Sequence, residues 1–126
     1  WTFWDCNKVC ISVIPEHVSK IGRLAFTCCE GIKALVFKNQ LEVINDRAFS
    51  GCKNLERIVF PNNLREISDF AFARCINLKG INLPASLQKI GYRAFGNCES
   101  LLFVKYNSNP KVDSSAFMNC PISQDK

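Results

Sequence analysis

The stretch AFSGCKNL, residues 48–55, decides the fold of this chain, because close copies of it recur at a fixed interval. The related stretches AFTCCEGI, AFARCINL and AFGNCESL begin at residues 25, 71 and 94, and a further Ala-Phe pair begins at residue 116. Successive pairs are therefore separated by 23, 23, 23 and 22 residues. A strict period of roughly 20 to 30 residues is typical of stacked-repeat proteins. We expect each repeat to form one coil of a solenoid.

Alignment on this period places nearly all large apolar residues in eight columns. Two columns have an unusual composition: one contains Phe3, Phe26, Phe49, Phe72, Phe95 and Phe117, and the other contains Cys6, Cys29, Cys52, Cys75, Cys98 and Cys120. A single repeat cannot bury a face by itself, whereas stacked repeats bury one continuous core. Equivalent residues of neighbouring coils lie about 4.8 Å apart across parallel strands, a spacing that suits offset aromatic rings. We therefore predict files of rings and thiols through the interior.

Each repeat carries signals for short extended segments and one compact turn. The stretch from Leu55 to Phe60 alternates apolar and polar residues toward its end and stops at Pro61, as a short strand does. A second aliphatic pair follows a polar turn, and Ser68 then stands where a helical turn would need an N-cap. The Ala-Phe-x-x-Cys motif fits such a turn. The sequence thus predicts about five 23-residue repeats with short parallel strands and single helical turns, in one domain that spans residues 1–126 and is expected to be a fragment of a longer repeat protein.

The stretch from Leu78 to Cys98, LKGINLPASLQKIGYRAFGNC, follows the pattern LxxIxLPxxLxxIGxxAFxxC. On this pattern the chain resembles the BspA-like leucine-rich repeats, also called the Treponema pallidum type. The resemblance covers essentially the whole chain, and departures occur only near its ends, at Thr2, Ser12 and Asn109-Pro110. It implies a right-handed leucine-rich-repeat solenoid of the α/β type. It also implies a cell-surface or extracellular location and non-catalytic adhesion to, or binding of, host or matrix proteins.

Two variable columns of the predicted first strand should point outward, where solenoids usually bind their partners. At the N-terminal end most of these residues are apolar, and soluble monomers rarely expose a contiguous apolar patch without a use for it. We predict a surface for a protein partner centred on Val36 and Val59, with Arg57 as a polar anchor. The candidate residues are Ile11, Val13, Ala34, Val36, Arg57, Val59 and Phe103. Alternatively, β-branched residues stand there because they favour strands, or a flanking segment or another chain covers them.

The cysteine column argues against a disulfide scaffold, because a small thiol packs like any apolar side chain at one repeated core position. Cys10 and Cys28 lie off the column at positions that are polar or glycine in other repeats, so we expect them at the surface, where either could be reactive. A four-thiolate zinc site from Cys6, Cys10, Cys28 and Cys29 is the alternative. Because Cys6 and Cys29 have core positions in the column, we predict no metal and no cofactor.

Catalysis has little support in the sequence. The single histidine, His17, follows Pro15 in a turn and is expected to lie far from Cys10, whereas a Cys–His nucleophile needs both groups within hydrogen-bond reach. No glycine-rich phosphate loop is present, since the glycines are isolated. We predict that the protein is not an enzyme. A thiol enzyme that uses Cys10 or Cys28 is the remaining catalytic alternative.

Nucleic-acid binding is the next class to consider. Arg23, Arg47 and Arg93 fall in nearly the same column, and a row of arginines can contact phosphates. Asp46 and Asp69 interrupt the same edge, and the net charge of +5 comes from basic residues scattered over several columns. We predict no nucleic-acid partner.

The alternative to a binding module is a structural spacer that stacks end to end on further repeats or on a neighbouring chain. The chain begins inside a repeat and stops after Cys120–Ile122 without a closing strand, and terminal repeats normally need polar caps. Trp1 and Trp4 flank the first phenylalanine and are predicted to cap the open stack, although an exposed pair of tryptophans would also suit a binding hot spot. No apolar run has the length of a membrane span, so we expect no direct membrane insertion.

Overall fold

Short β-strands alternate along the computed structural model, which describes residues 11–14, 19–38 and 40–122. In these ranges the strands are β1 Ile11–Ile14, β2 Lys20–Ile21, β3 Ala34–Phe37, β4 Val43–Ile44, β5 Arg57–Val59, β6 Glu66–Ile67, β7 Gly80–Asn82, β8 Lys89–Ile90, β9 Phe103–Lys105 and β10 Lys111–Val112. The odd-numbered strands begin at residues 11, 34, 57, 80 and 103, so they repeat with the 23-residue period of the sequence.

All pairing between these strands is parallel and joins equivalent strands of neighbouring coils. The order β1-β3-β5 continues, through contacts of β5 with β7, into the pair β7-β9, and these strands form the first face of the solenoid. The even-numbered strands form a second sheet in the order β10-β8-β6-β4-β2. Leu35 pairs with Ile58, which lies one period later in the chain. The predicted parallel solenoid with a 23-residue spacing is therefore confirmed.

The phenylalanine column forms a stacked file in the core. The ring centroids of Phe26, Phe49, Phe72, Phe95 and Phe117 are separated by 5.0, 5.2, 5.2 and 5.3 Å in turn, and successive rings are within 8° of parallel. A second pair of rings meets this file edge-on, with Phe37 at 5.8 Å from Phe49 and Phe60 at 5.9 Å from Phe72. These distances lie within the range favoured by aromatic pairs. The first ring of the column, Phe3, lies outside the described residues.

The predicted helical turns are wrong: within the described ranges the Ala-Phe motif is a series of β-turns and no helix is present. Alternate N–H groups bond backward within the turn, as Ala48 does to the carbonyl of Asn45 at 3.2 Å. The N–H groups between them bond to the next coil, as Phe49 does to the carbonyl of Ala71 at 2.8 Å. A helix needs every N–H for its own i→i−4 ladder, so the bonds between coils exclude it.

The predicted N-cap is wrong as well. The hydroxyl of Ser68 donates to the Glu66 carboxylate at 2.9 Å, so it is engaged away from the turn that follows. Two residues of most repeats have a positive φ, four positions apart, as at Arg47 (57°) and Gly51 (76°). Residues with a left-handed backbone at these places end each turn before a helix can propagate. Glycine adopts this conformation easily, as Gly51 does, whereas Arg47 adopts it with a side chain present.

The cysteine column has a polar role that the sequence pattern did not reveal. Cys52, Cys75, Cys98 and Cys120 donate their thiol hydrogens to the carbonyls of Phe26, Phe49, Phe72 and Phe95 in the preceding coil, at 3.2, 3.3, 3.1 and 2.9 Å. The neighbouring thiol of Cys98, and after it burial, raise the pKa of Cys120 above its ordinary value. The Cys120 thiol is thus held protonated as a donor between coils.

Candidate functional site

The outward side of strands β3, β5, β7 and β9, here called the outer face, is the candidate site. Side chains alternate across a strand, so every second residue points away from the core. On β5 the middle residue, Ile58, is buried, whereas Arg57 and Val59 on either side of it are exposed. The same alternation places Asn82 of β7 and Lys105 of β9 on the outer face.

Most of the predicted site residues that the structure describes reach this surface. Val59 is 57% exposed and Phe103 is 68% exposed, and Arg57 is exposed beside Val59. Val36, which pairs with Val59 in register, is half-buried. The structure therefore brings Val36, Arg57 and Val59 together, and it places Phe103 two coils further along.

Ala34 departs from the prediction, because its side chain is only 7% exposed. It lies in register beside Arg57, and a methyl group is short enough to be covered by neighbouring side chains. Ala34 can therefore offer little side-chain surface to a partner. Ile11 and Val13 pair in register with Ala34 and Val36 through β1, but their side chains lie outside the described part of the chain.

Gly80 is a site residue that the sequence reasoning did not single out. It lies between Arg57 and Phe103 in the same outward column, where a side chain would otherwise stand. A Cβ atom added to Gly80 would lie 3.5 Å from Cβ and 3.6 Å from Cδ2 of Phe103, so the Phe103 side chain rests against the bare glycine backbone. A glycine inside a strand often marks such a close approach, and that signal was available in the sequence. Phe103 thus covers Gly80 from the next coil.

Further exposed apolar side chains surround the end of β9. Leu102 and Tyr106 are both exposed, and partial burial raises the pKa of the Tyr106 hydroxyl above its ordinary value. The Asn107 side chain donates to the Asn82 side chain at 2.8 Å and to the Leu83 carbonyl at 2.7 Å, which fixes the chain that leaves β9.

Basic residues outnumber acidic ones on the outer-face strands and directly beside them, although most basic residues of the described chain lie elsewhere, scattered as the sequence predicted. Strands β3, β5, β7 and β9 and the residues that directly flank them carry the exposed bases Lys33, Lys38, Arg57, Lys79 and Lys105. The same segments carry one carboxylate, Glu56. The ion pairs of the described residues, Arg23–Asp46, Arg47–Asp46 and Arg65–Glu42, leave these six groups unpaired.

The arginine row that would serve nucleic-acid binding is engaged within the protein. Arg23 and Arg47 both contact the Asp46 carboxylate at 2.9 Å. The guanidinium of Arg47 also lies 4.5 Å from the ring centroid of Phe70, and that of Arg93 lies 5.2 Å from the ring centroid of Tyr92. Arg23 and Arg47 therefore share one carboxylate, and the guanidinium groups of Arg47 and Arg93 lie over aromatic rings. These contacts compete with phosphate for the same guanidinium groups.

Within the described residues no group of three or more His, Cys, Asp or Glu side chains is placed to hold a metal ion. Cys28 is exposed there as a free thiol, whereas Cys6, Cys10, His17, Trp1 and Trp4 lie outside the described residues. The same ranges contain no helix with the length and apolar character of a membrane span.

Short parallel strands, a file of core rings and a 23-residue period define a leucine-rich-repeat solenoid with an accessible outer face. The sequence model of the BspA type leucine-rich repeat region matches residues 2–123 in six copies. The chain therefore belongs to the BspA type leucine-rich repeat family.

Solved structures are similar to this chain over almost all of its length. The leucine-rich repeat protein of T. pallidum is 28% identical, with a TM-score of 0.83, and covers 92% of this chain. A leucine rich cell surface protein from Faecalibacterium prausnitzii A2-165 is 29% identical, with a TM-score of 0.82, and also covers 92%. The pneumococcal vaccine antigen PcpA is 25% identical, with a TM-score of 0.79, and covers 94%.

The chain spans only 57%, 32% and 34% of the length of these three proteins, respectively. No curated protein matches the sequence of this chain.

Proposed function

We propose that the chain is a non-catalytic protein-binding module that uses its outer face for adhesion. The observation that carries the proposal is the exposure of two large apolar side chains on the outer face, Val59 beside Arg57 and Phe103 two coils further along. Aromatic residues and arginine are enriched among the residues that dominate binding energy at protein interfaces. An apolar patch rimmed by polar groups is typical of an interaction site.

The solenoid supports this use because it holds the outer face rigid. Inward residues of the same strands, such as Leu35 and Ile81, are buried in the core, and each strand is bonded to its equivalents in neighbouring coils. A preorganised surface loses less conformational entropy on binding than a flexible one.

We place this module at the cell surface or outside the cell. Two similar structures support this location: one is of a leucine rich cell surface protein and the other is of a pneumococcal vaccine antigen. The partner we propose is a protein of a host, a matrix or a neighbouring subunit, and no cofactor takes part.

The test is partner capture with variants of the outer face. The immobilised chain is used to isolate partners, which are identified by mass spectrometry and titrated as purified proteins by calorimetry. We expect Val59→Thr with Phe103→Ser to weaken binding at least about tenfold, because interface hot spots commonly contribute 2 kcal/mol or more. The control, Leu24→Asn with Met118→Ser, changes two exposed apolar residues elsewhere and should bind normally. Equal binding by both double variants would refute the proposal.

A structural spacer is the second candidate, favoured by the half-buried columns of the last described coil. Four side chains of this coil pack against the core but remain partly exposed to solvent, whereas their equivalents in inner coils are buried. They are Val104, Val112, Phe117 and Cys120. Another coil of the same repeat would cover them. A spacer should self-associate in sedimentation velocity in a concentration-dependent way, and Phe117→Lys should abolish this. A monomer at all concentrations would favour the binding module.

A further inference from the structure

We propose that the partner of the outer face is an acidic protein segment that interleaves carboxylates with apolar side chains. This inference rests on the binding role proposed above and specifies the chemistry of its ligand. It follows from the excess of basic residues on the outer face, from the lack of ion pairs to these residues, and from their position around Val59 and Phe103.

The outer face carries most of the excess charge of the chain. Its segments contain five basic residues against one acidic residue, whereas the whole chain has a net charge of +5. The second sheet presents Lys20, Arg65, Lys89 and Lys111 with Glu42 and Glu66 among them, and Arg65 lies 3.9 Å from Glu42. Both sheets carry carboxylates, but the excess of basic over acidic residues is larger on the outer face, where Glu56 stands against five bases.

The charges of the outer face have no intramolecular carboxylate within ion-pair distance among the described residues. Lys79 lies directly before β7 and Lys105 lies on β9, at positions that are not in register, because Lys105 pairs with Asn82. Carboxylates of a partner placed beside these unpaired charges would neutralise them, and complementary charge would also steer the encounter.

The apolar part of the outer face favours a protein segment over a nucleic acid as the source of the negative charge. Val59 is an aliphatic residue exposed in the centre of the face, and Phe103 leans over Gly80 at the β9 end of the same face. Aliphatic surface of this kind gains free energy by burying apolar side chains, which a phosphate backbone does not offer. Four of the five basic residues are lysines, and only Arg57 has the planar fork that pairs with phosphate in a bidentate way.

The experiment uses fluorescence anisotropy of the full chain with labelled test ligands. The first ligand is a peptide of about twelve residues that alternates Asp or Glu with Leu or Phe. Matched peptides carry Asn and Gln for the acids, or Ser for the apolar residues, and an oligothymidylate of similar length represents nucleic acids. We expect the first peptide to bind best, and its affinity to fall about tenfold from about 50 to about 300 mM NaCl because surface charges are then screened.

Two charge-reversal pairs locate the effect. Lys79→Glu with Lys105→Glu changes the outer face, and Lys89→Glu with Lys111→Glu makes the same change in net charge on the second sheet. We expect the first pair to weaken peptide binding at least about tenfold and the second pair to leave it within about twofold, since distant exposed charges are screened. Circular dichroism melting of both pairs reports whether the variants are folded.

The inference is overturned if the amide peptide binds as well as the acidic one, if both charge-reversal pairs weaken binding equally, or if the oligothymidylate binds more tightly than any peptide. These outcomes are separable from failure of the proposed function. A captured partner that needs Val59 and Phe103 but binds independently of salt would support the binding role and refute the acidic segment. A partner indifferent to Val59 and Phe103 would refute the binding role itself.

Discussion

The Sγ atom of Cys75 lies 3.3 Å from the carbonyl oxygen of Phe49, which belongs to the preceding coil. The same carbonyl accepts the N–H of Cys52 within its own coil, so one oxygen is shared by a turn bond and a bond between coils. This contact is repeated along the stack and explains why the column contains cysteine rather than alanine or valine. Cysteine is small enough for the turn and still offers a hydrogen-bond donor.

Replacement of Cys75 by alanine should therefore cost more than the loss of a small side chain. We expect a decrease of about 1–3 kcal/mol in the free energy of unfolding, because a buried hydrogen bond and some packing are removed. Urea denaturation measures the change, and Cys28→Ala is the control because Cys28 is exposed. Equal stability of the two variants would show that the thiol column only fills space.

Phe72→Ala should strongly destabilise the solenoid. The Phe72 ring is fully buried and lies 5.2 Å from both Phe49 and Phe95. We expect a loss of about 3–5 kcal/mol, the usual range for truncation of a buried aromatic ring. Phe103→Ala removes the same atoms from an exposed position and should change stability by only about 0.5 kcal/mol. Thermal melting of both variants compares the two positions, and similar melting temperatures would contradict the core file.

Gly91→Ala should disturb a carboxylate that is seated against the bare backbone. A Cβ atom at Gly91 would lie 2.9 Å from the backbone nitrogen of Asp69 and would also meet the Oδ1 atom that accepts the N–H of Tyr92 at 2.8 Å. We expect a cost of about 1–3 kcal/mol from this crowding.

Gly22, the equivalent residue of an earlier repeat, is the control for Gly91, because an added Cβ atom there meets nothing within 4 Å. Gly22→Ala should be neutral or should stabilise by up to about 1 kcal/mol through the unfolded state. Urea denaturation compares the two, and a Gly91→Ala variant as stable as Gly22→Ala would contradict the proposed fit.

Arg74→Gly should stabilise the protein. Arg74 is exposed and has a φ of 62°, a conformation that costs non-glycine residues about 1 kcal/mol. Its N–H donates to the carbonyl of Gly96 at 2.8 Å, a bond that glycine keeps. We expect a gain of about 0.5–1 kcal/mol, whereas Arg57→Gly inside β5 should lose a similar amount. Chemical denaturation gives both values, and a loss at Arg74 would contradict the strain argument.

Asp113 should titrate below the ordinary range of an aspartate. The Ser115 hydroxyl donates to Asp113 Oδ1 at 2.7 Å and the Ser115 N–H donates to the same atom at 2.9 Å, and these bonds lower the pKa of Asp113. Because the folded-state pKa is depressed, the stabilisation is present above the unfolded pKa and is lost as the pH falls through the folded value. NMR titration should show Ser115→Ala raising the pKa of Asp113, and no change would exclude the hydroxyl as the cause.

The outer face shows how far sequence reasoning reached. Strand alternation predicted correctly that Arg57, Val59 and Phe103 point outward, because period-2 alternation is a local property of the strand. It misjudged Ala34, since exposure depends on the size of neighbouring side chains in other coils. It did not single out Gly80, because the side chain that rests on this glycine comes from 23 residues later in the chain.

By itself, the sequence determined the coil period, the parallel register and the files of phenylalanine and cysteine, because each follows from identical residues recurring at equal intervals. Only the tertiary structure decided how the Ala-Phe motif is bonded and where charge collects. An N–H group of a turn can donate to a carbonyl of the same turn or to one of the next coil. The distance between coils decides which of these bonds forms. Likewise, bases far apart in the sequence form one charged face only when stacking brings their strands side by side.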